Sequence, residues 1–127
     1  MPITRLTLDT EMPPVSHYCH VVRAGDWVWL SGMVGMTASG EIPEDTVAQF
    51  EIAIGTIDRC LRAAGGRPDQ VVKVQIFLTD ISERARINPI RQQFFGEHRP
   101  ASTLVEVSAL VDPRMKVEIE AVAYLGG

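Results

Sequence analysis

Residues 43–79, PEDTVAQFEIAIGTIDRCLRAAGGRPDQVVKVQIFLT, set a helix directly before a strand, and that pair sets the architecture. Val47, Phe50, Ile54, Ile57 and Leu61 recur at three- and four-residue spacing, one apolar stripe on a helix that follows Pro43. Glu51, Asp58, Arg59 and Arg62 lie off the stripe, and Ala64-Gly65-Gly66 supplies the stop. From Val71 to Thr79 the period becomes strict alternation, so Val72, Val74, Ile76 and Leu78 share a strand face. A helix with one apolar stripe and a strand with one apolar face bury those surfaces against each other in two layers.

Toward the N-terminus, Thr4 to Leu8 alternate weakly and read as an edge strand. Tyr18 to Arg23 and Trp27 to Ser31 are β-rich runs joined at Ala24-Gly25-Asp26, a hairpin signal. Trp27, Trp29 and Ser31 share one face of the second run, and Gly32 to Ile42 reads as loop. Toward the C-terminus, Asp80 and Glu83 have capping-box spacing, and Asn88-Pro89 predicts a fresh N-cap and first residue of a second helix. Ile90 and Phe94 share a face of that helix, which Gly96 ends. Ser102 to Val107 and Met115 to Ala123 are the last strands. In the final one Met115, Val117, Ile119, Ala121 and Ala123 face one side, and Lys116, Glu118 and Glu120 the other. The expected fold is α+β, one domain over residues 1–127, with two helices on one face of a mixed sheet. Trp27, Trp29 and Phe77 then project from the uncovered face, which predicts a partner, most simply another copy of the chain.

The 127 residues are 46% hydrophobic and carry 12 basic against 16 acidic side chains, a net charge of −4. That composition excludes disorder and gives no electrostatic support to a nucleic-acid partner. The N-terminus lacks a basic cap followed by an apolar run, and no stretch reaches the ~18–20 apolar residues of a membrane span. The expectation is a cytoplasmic protein with no membrane contact and two free thiols, Cys19 and Cys60. No glycine-rich phosphate loop and no Gly-x-Ser-x-Gly elbow is present. His17 and His20 have metal-pair spacing only on a helix, so they read as surface or interface residues, and neither metal nor cofactor is expected. Glu118 and Glu120 stand out at i and i+2 in an otherwise apolar strand. Either they are a solvated face paired with Lys116, or one is a carboxylate of raised pKa that moves a proton.

The segments FFGEHRPASTLVEVSALVDPRMKVEIEAVA, WVWLSGMVG and AAGGRPDQVVKVQIFLTD, with Asn88 between the last strand-forming block and the next helix, carry a resemblance. In order and over essentially the whole chain, they resemble the RidA/YjgF family, also called L-PSP endoribonuclease-like. The resemblance implies a chorismate-mutase-like fold and a homotrimer with three inter-subunit clefts. It implies cofactor-free hydrolysis of small imines and enamines, such as 2-aminoacrylate, to keto acids and ammonia. It would place the cleft on Tyr18, Ser31, Gly32, Asn88 and Glu120, with Glu120 activating water or shuttling a proton. Ser102 and the backbone near Leu104 would complete the wall.

One departure limits the resemblance. The family's deaminases carry an arginine that pairs with the substrate carboxylate, and Ser102 of Pro100-Ala101-Ser102-Thr103 stands there. A guanidinium is planar and permanently charged, whereas a hydroxyl offers one neutral hydrogen bond worth about 0.5–1.5 kcal/mol. Ser102 therefore predicts an altered preference, toward neutral or weakly charged substrates, unless Arg99 or Arg114 reaches in. The other class of function is a metabolite-binding or chaperone-like trimer without chemistry. A ribonuclease is disfavoured by net charge and by the lack of a basic, aromatic-interleaved stripe.

Overall fold

A computed structural model describes residues 2–127. Six strands form one sheet in the order β1-β2-β3-β6-β4-β5: β1 (Ile3–Leu6), β2 (Val21–Ala24), β3 (Trp27–Val34), β4 (Val71–Leu78), β5 (Ala101–Glu106) and β6 (Val117–Tyr124). All pairings are antiparallel except β4 with β5, so the sheet is mixed. The helices α1 (Thr46–Ala63) and α2 (Arg84–Phe95) cover one face. This is the α+β arrangement that the alternation of periods predicts.

Asp45 caps α1 by accepting from the Ala48 N–H, and Gly65, at φ +90°, turns the chain out of the helix. Phe50, Ile54, Ile57 and Leu61 are buried as expected, while Val47 is half-buried at the margin. Gln49 is also fully buried. Its amide donates to the carbonyls of Pro43 (2.7 Å) and Arg114 (2.9 Å) and accepts from the Lys116 N–H (2.8 Å). Every polar atom of that buried side chain is satisfied, which ties the start of α1 to the approach to β6.

Four local expectations change. In β4 the register against β6 shifts between Val71 and Lys73, so Val71 takes the core position and Val72 is exposed. Tyr18 lies outside the sheet, because its N–H bonds back to Ser16 in a local turn and β2 begins only at Val21. Gly32 to Val34 belong to β3 rather than to a loop. Asn88 and Pro89 lie inside α2, not at its start. Asp80 begins the helical path earlier, accepting from the Ser82 N–H, and one 3-10 turn leads straight into α2. Pro89 is exposed there and removes a single backbone donor. Ile87 and Phe95 anchor α2 to the core, with Ile90 and Phe94 partly buried beside them.

The irregular segment between β1 and β2 is held by two buried polar groups. Glu11, 5% exposed, receives both Nε and Nη2 of Arg59, the latter at 2.7 Å. His20 is 3% exposed, a correction to the surface position expected of it. Its Nδ1 accepts from the Leu8 N–H (3.0 Å), which leaves Nε2 to donate to the Met12 carbonyl (2.9 Å). Cys19 and Cys60 are both free, and burial pushes the Cys60 thiol up to about 11. On the uncovered sheet face Trp27 and Trp29 are 42% and 44% exposed, and Tyr124 packs on Trp27 at 4.8 Å between ring centroids. Among the described residues no helix is long and apolar enough to cross a membrane.

Candidate functional site

The bulge in β3 builds the site. Leu30 pairs with Ala121 and Met33 with Ile119, so two residues of β3, Ser31 and Gly32, stand against the single residue Glu120 of β6. A bulge re-aims side chains locally. Here it sets a hydroxyl and a bare backbone across from a carboxylate. The segment before β2 closes over this point, giving a cleft of about 450 Å³ lined by Tyr18, Ser31, Gly32, Glu118 and Glu120, with Val34 and Val111 on its apolar side. Glu120 and Ser31 also line a second cavity of about 460 Å³ with Trp29, Lys73 and Gln75, so Glu120 forms a wall between the two.

Each lining group is oriented. Ser31 Oγ donates to the Cys19 carbonyl at 2.7 Å, which leaves its oxygen free to accept from a ligand N–H. Tyr18 is half-exposed, its phenolic oxygen accepting from the Val15 N–H at 3.3 Å. A Cβ at Gly32 would meet the Glu118 carboxylate, which would have to swing aside. The absent side chain is the space in which Glu118 folds over β3.

Burial, and after it the negative charge of Glu120, raises the Glu118 carboxyl above its ordinary value. Lys116 does not compensate either glutamate: its Nζ donates to the Glu44 carbonyl at 2.6 Å. No ion pair reaches Glu118 or Glu120 among the described residues. Lys73 is occupied with the Thr103 hydroxyl at 2.9 Å. Two adjacent carboxylates with no counter-ion repel each other, an environment of the kind general acid–base chemistry uses. It is the Glu118 carboxyl that burial raises, whereas the resemblance gives the proton role to Glu120. Among the described residues no three of His, Cys, Asp and Glu converge as a metal would require.

The remaining predicted residues lie elsewhere on the chain. Asn88 is exposed on α2 and lines a separate cleft of about 440 Å³ with Arg91, Gln92 and Arg99. Ser102, on β5, pairs in register with Val74 of β4, and its hydroxyl receives Arg91 Nη2 at 2.8 Å. Leu104 packs its side chain against the core. One chain therefore unites Tyr18, Ser31, Gly32 and Glu120, but not Asn88, Ser102 or Leu104. Arg114 is held by Asp112 through Nε and Nη2, and Arg99 lines the Asn88 cleft. The guanidinium beside Ser102 is Arg91, which the sequence reading passed over. Its three-residue spacing from Asn88 was the available signal, since such residues share a helix face.

Residues 9–125 match the family described as Endoribonuclease L-PSP. A RutC family protein of Pyrococcus horikoshii is 34% identical over 113 residues, covering 87% of this chain and 89% of that protein. The 2-iminobutanoate/2-iminopropanoate deaminase of Escherichia coli is 32% identical over 123 residues, 92% of this chain and 95% of that protein. The solved structure of RidA from an Antarctic Psychrobacter species is similar with a TM-score of 0.91 at 33% identity, covering 95% of this chain and 98% of that one. The chain belongs to the Endoribonuclease L-PSP family, the RidA/YjgF group that its motifs resemble.

Proposed function

We propose that this protein hydrolyses small imines and enamines, releasing ammonia and leaving a carbonyl product, without a cofactor. The observation that carries the proposal is the bulge that sets Ser31 and Gly32 against Glu120, with Glu118 desolvated beside it. The E. coli relative named 2-iminobutanoate/2-iminopropanoate deaminase supports the reaction class. Glu120 takes a proton from water as the water oxygen bonds to the imine carbon. The electron pair of the C=N bond moves to nitrogen, which takes up a proton, and the Ser31 oxygen accepts from the N–H. Collapse of the carbinolamine forms the C=O bond, breaks the C–N bond and releases ammonia, with the hydroxyl proton passing back through the carboxylate. The proton that nitrogen takes up first is the one Glu120 drew from water, and Glu118, its carboxyl raised by burial, lies beside that path.

The working form is a soluble cytoplasmic homotrimer, with the reaction in clefts between subunits. The uncovered aromatic face of Trp27, Trp29 and Tyr124 supports assembly, as does the division of Glu120 and Asn88 between different clefts of one chain. Ser102 alters which imines are taken, and the group bonded to it sets the direction of that change. The test is ammonia release from 2-iminobutanoate generated in situ, comparing the natural chain with Glu120→Gln. A loss of about 100-fold is expected for a positioned general base. Equal turnover in the variant overturns the proton role. A ligand-dependent rise in Tm with no ammonia from either protein makes the chain a metabolite-binding trimer instead.

A further inference from the structure

We propose that Arg91, with Asn88 one helical turn before it, is the group that receives the substrate's carboxylate, so that position 102 orients the cation rather than replacing it. The substrate half of this inference rests on the imine-hydrolase reading; the anion contact does not.

Arg59, Arg62, Arg67, Arg86 and Arg114 each face a carboxylate. Arg91 faces none among the described residues; its contact is the neutral Ser102 hydroxyl at 2.8 Å. It is half-buried, and burial alone lowers its pKa, whereas ion-paired Arg59, Arg86 and Arg114 are all raised. In a chain of net charge −4, the cleft around it is lined by two guanidiniums, Arg91 and Arg99, and two amides, Asn88 and Gln92, with no acidic side chain. A partly desolvated cation without a counter-ion is stabilised by whatever anion enters. Once Ser102 fixes Nη2, the remaining N–H donors of a planar fork match the two oxygens of a carboxylate, and the amide of Asn88 adds a neutral donor on the same helix face.

The probe is 2-oxobutanoate, the keto acid that hydrolysis of 2-iminobutanoate would leave, titrated by calorimetry into the natural chain and into Arg91→Ala, Arg91→Lys, Ser102→Ala and Arg99→Ala. Arg91→Ala is expected to weaken binding by about tenfold or more, the scale of a charge-assisted bidentate contact. Arg91→Lys recovers part of it, and Ser102→Ala and Arg99→Ala each weaken it by less than Arg91→Ala does. The uncharged amide of the same keto acid is expected to bind the natural chain and Arg91→Ala alike. Unfolding midpoints accompany each titration, so a variant that fails to fold is replaced in the comparison by Arg91→Lys and Arg91→Gln. Unchanged 2-oxobutanoate affinity in the folded Arg91 variants overturns the proposal, as does a larger loss from Arg99→Ala. Arg91-dependent binding without ammonia release in any assay upholds the subsite and removes the hydrolase reading, so the two fail separately.

Discussion

The β3–β6 cleft and the α2–β5 cleft carry unpaired charge of opposite sign. In the first, Glu118 and Glu120 stand side by side with no cation, and burial holds the Glu118 carboxyl high. In the second, Arg91 is half-buried against a hydroxyl, and burial draws its pKa down. Five other arginines, Arg59, Arg62, Arg67, Arg86 and Arg114, are instead paired with carboxylates. Glu11 is pulled down chiefly by its hydrogen bond from Arg59, and Arg114 draws Asp112 down to about 2. Paired charges hold loops in place, and unpaired, partly desolvated ones mark where a ligand is expected to supply the missing partner. An anionic substrate with a basic nitrogen would complement both clefts at once, its carboxylate toward Arg91 and its nitrogen toward the glutamates.

The largest expected effect breaks the acidic side of this contrast. Glu120→Gln keeps the shape and removes the base, and turnover on an imine substrate should fall by about 100-fold with the unfolding midpoint little changed. A loss of folding rather than of turnover would make Glu120 structural. Gly32→Ala tests the same cleft through geometry. The new methyl displaces the Glu118 carboxylate, and activity should fall by about tenfold or more, because small misplacements of reacting groups are costly. Normal activity in a well-folded Gly32→Ala would mean that the position of Glu118 is irrelevant to chemistry.

Most of the frame was readable from residues because periodicity reports burial directly. The final strand is the clearest case: Met115, Val117, Ile119, Ala121 and Ala123 are all buried, as their alternation requires. Reading failed where one extra residue shifts a phase. Val72 reads as a core residue and Gly32 as loop because a bulge leaves no compositional trace. Asn88-Pro89 has the chemistry of a helix start, yet Asp80 had already begun the helical path, so the cap signal was overridden by an earlier one. The site was half readable for a related reason. Tyr18, Ser31, Gly32 and Glu120 meet within one chain, whereas the bond between Arg91 and Ser102 depends on how α2 packs over β5.

A paired charge provides the control for the contrast. Arg59→Ala leaves Glu11 buried with little more than the Thr10 hydroxyl, and should reduce stability by about 1–2 kcal/mol, discounted because the arginine is itself half-exposed. Because Glu11 has a lowered folded-state pKa, its contribution is present above its unfolded value and lost as pH falls through the folded one. Urea midpoints of the natural chain and Arg59→Ala should therefore converge toward acid pH. A constant gap across the acid range would show that the pair contributes through packing alone.

Glu118→Gln gives the smallest effect and the opposite sign. Its folded-state pKa is raised, so the folded protein holds that proton more tightly than the unfolded chain does. Stability associated with Glu118 is therefore full at low pH and declines as pH rises from the ordinary carboxylate range through the raised folded value. Glutamine mimics the protonated form at every pH. Relative to the natural chain, Glu118→Gln should be nearly neutral at about pH 4 and slightly more stable by about pH 8. Arg59→Ala and Glu118→Gln thus move apart in opposite senses as pH rises, the first losing ground on the natural chain and the second gaining it. If the Glu118→Gln difference stays flat between those pH values, the carboxylate is not desolvated, and the acidic cleft loses the property that separates it from an ordinary solvated strand face.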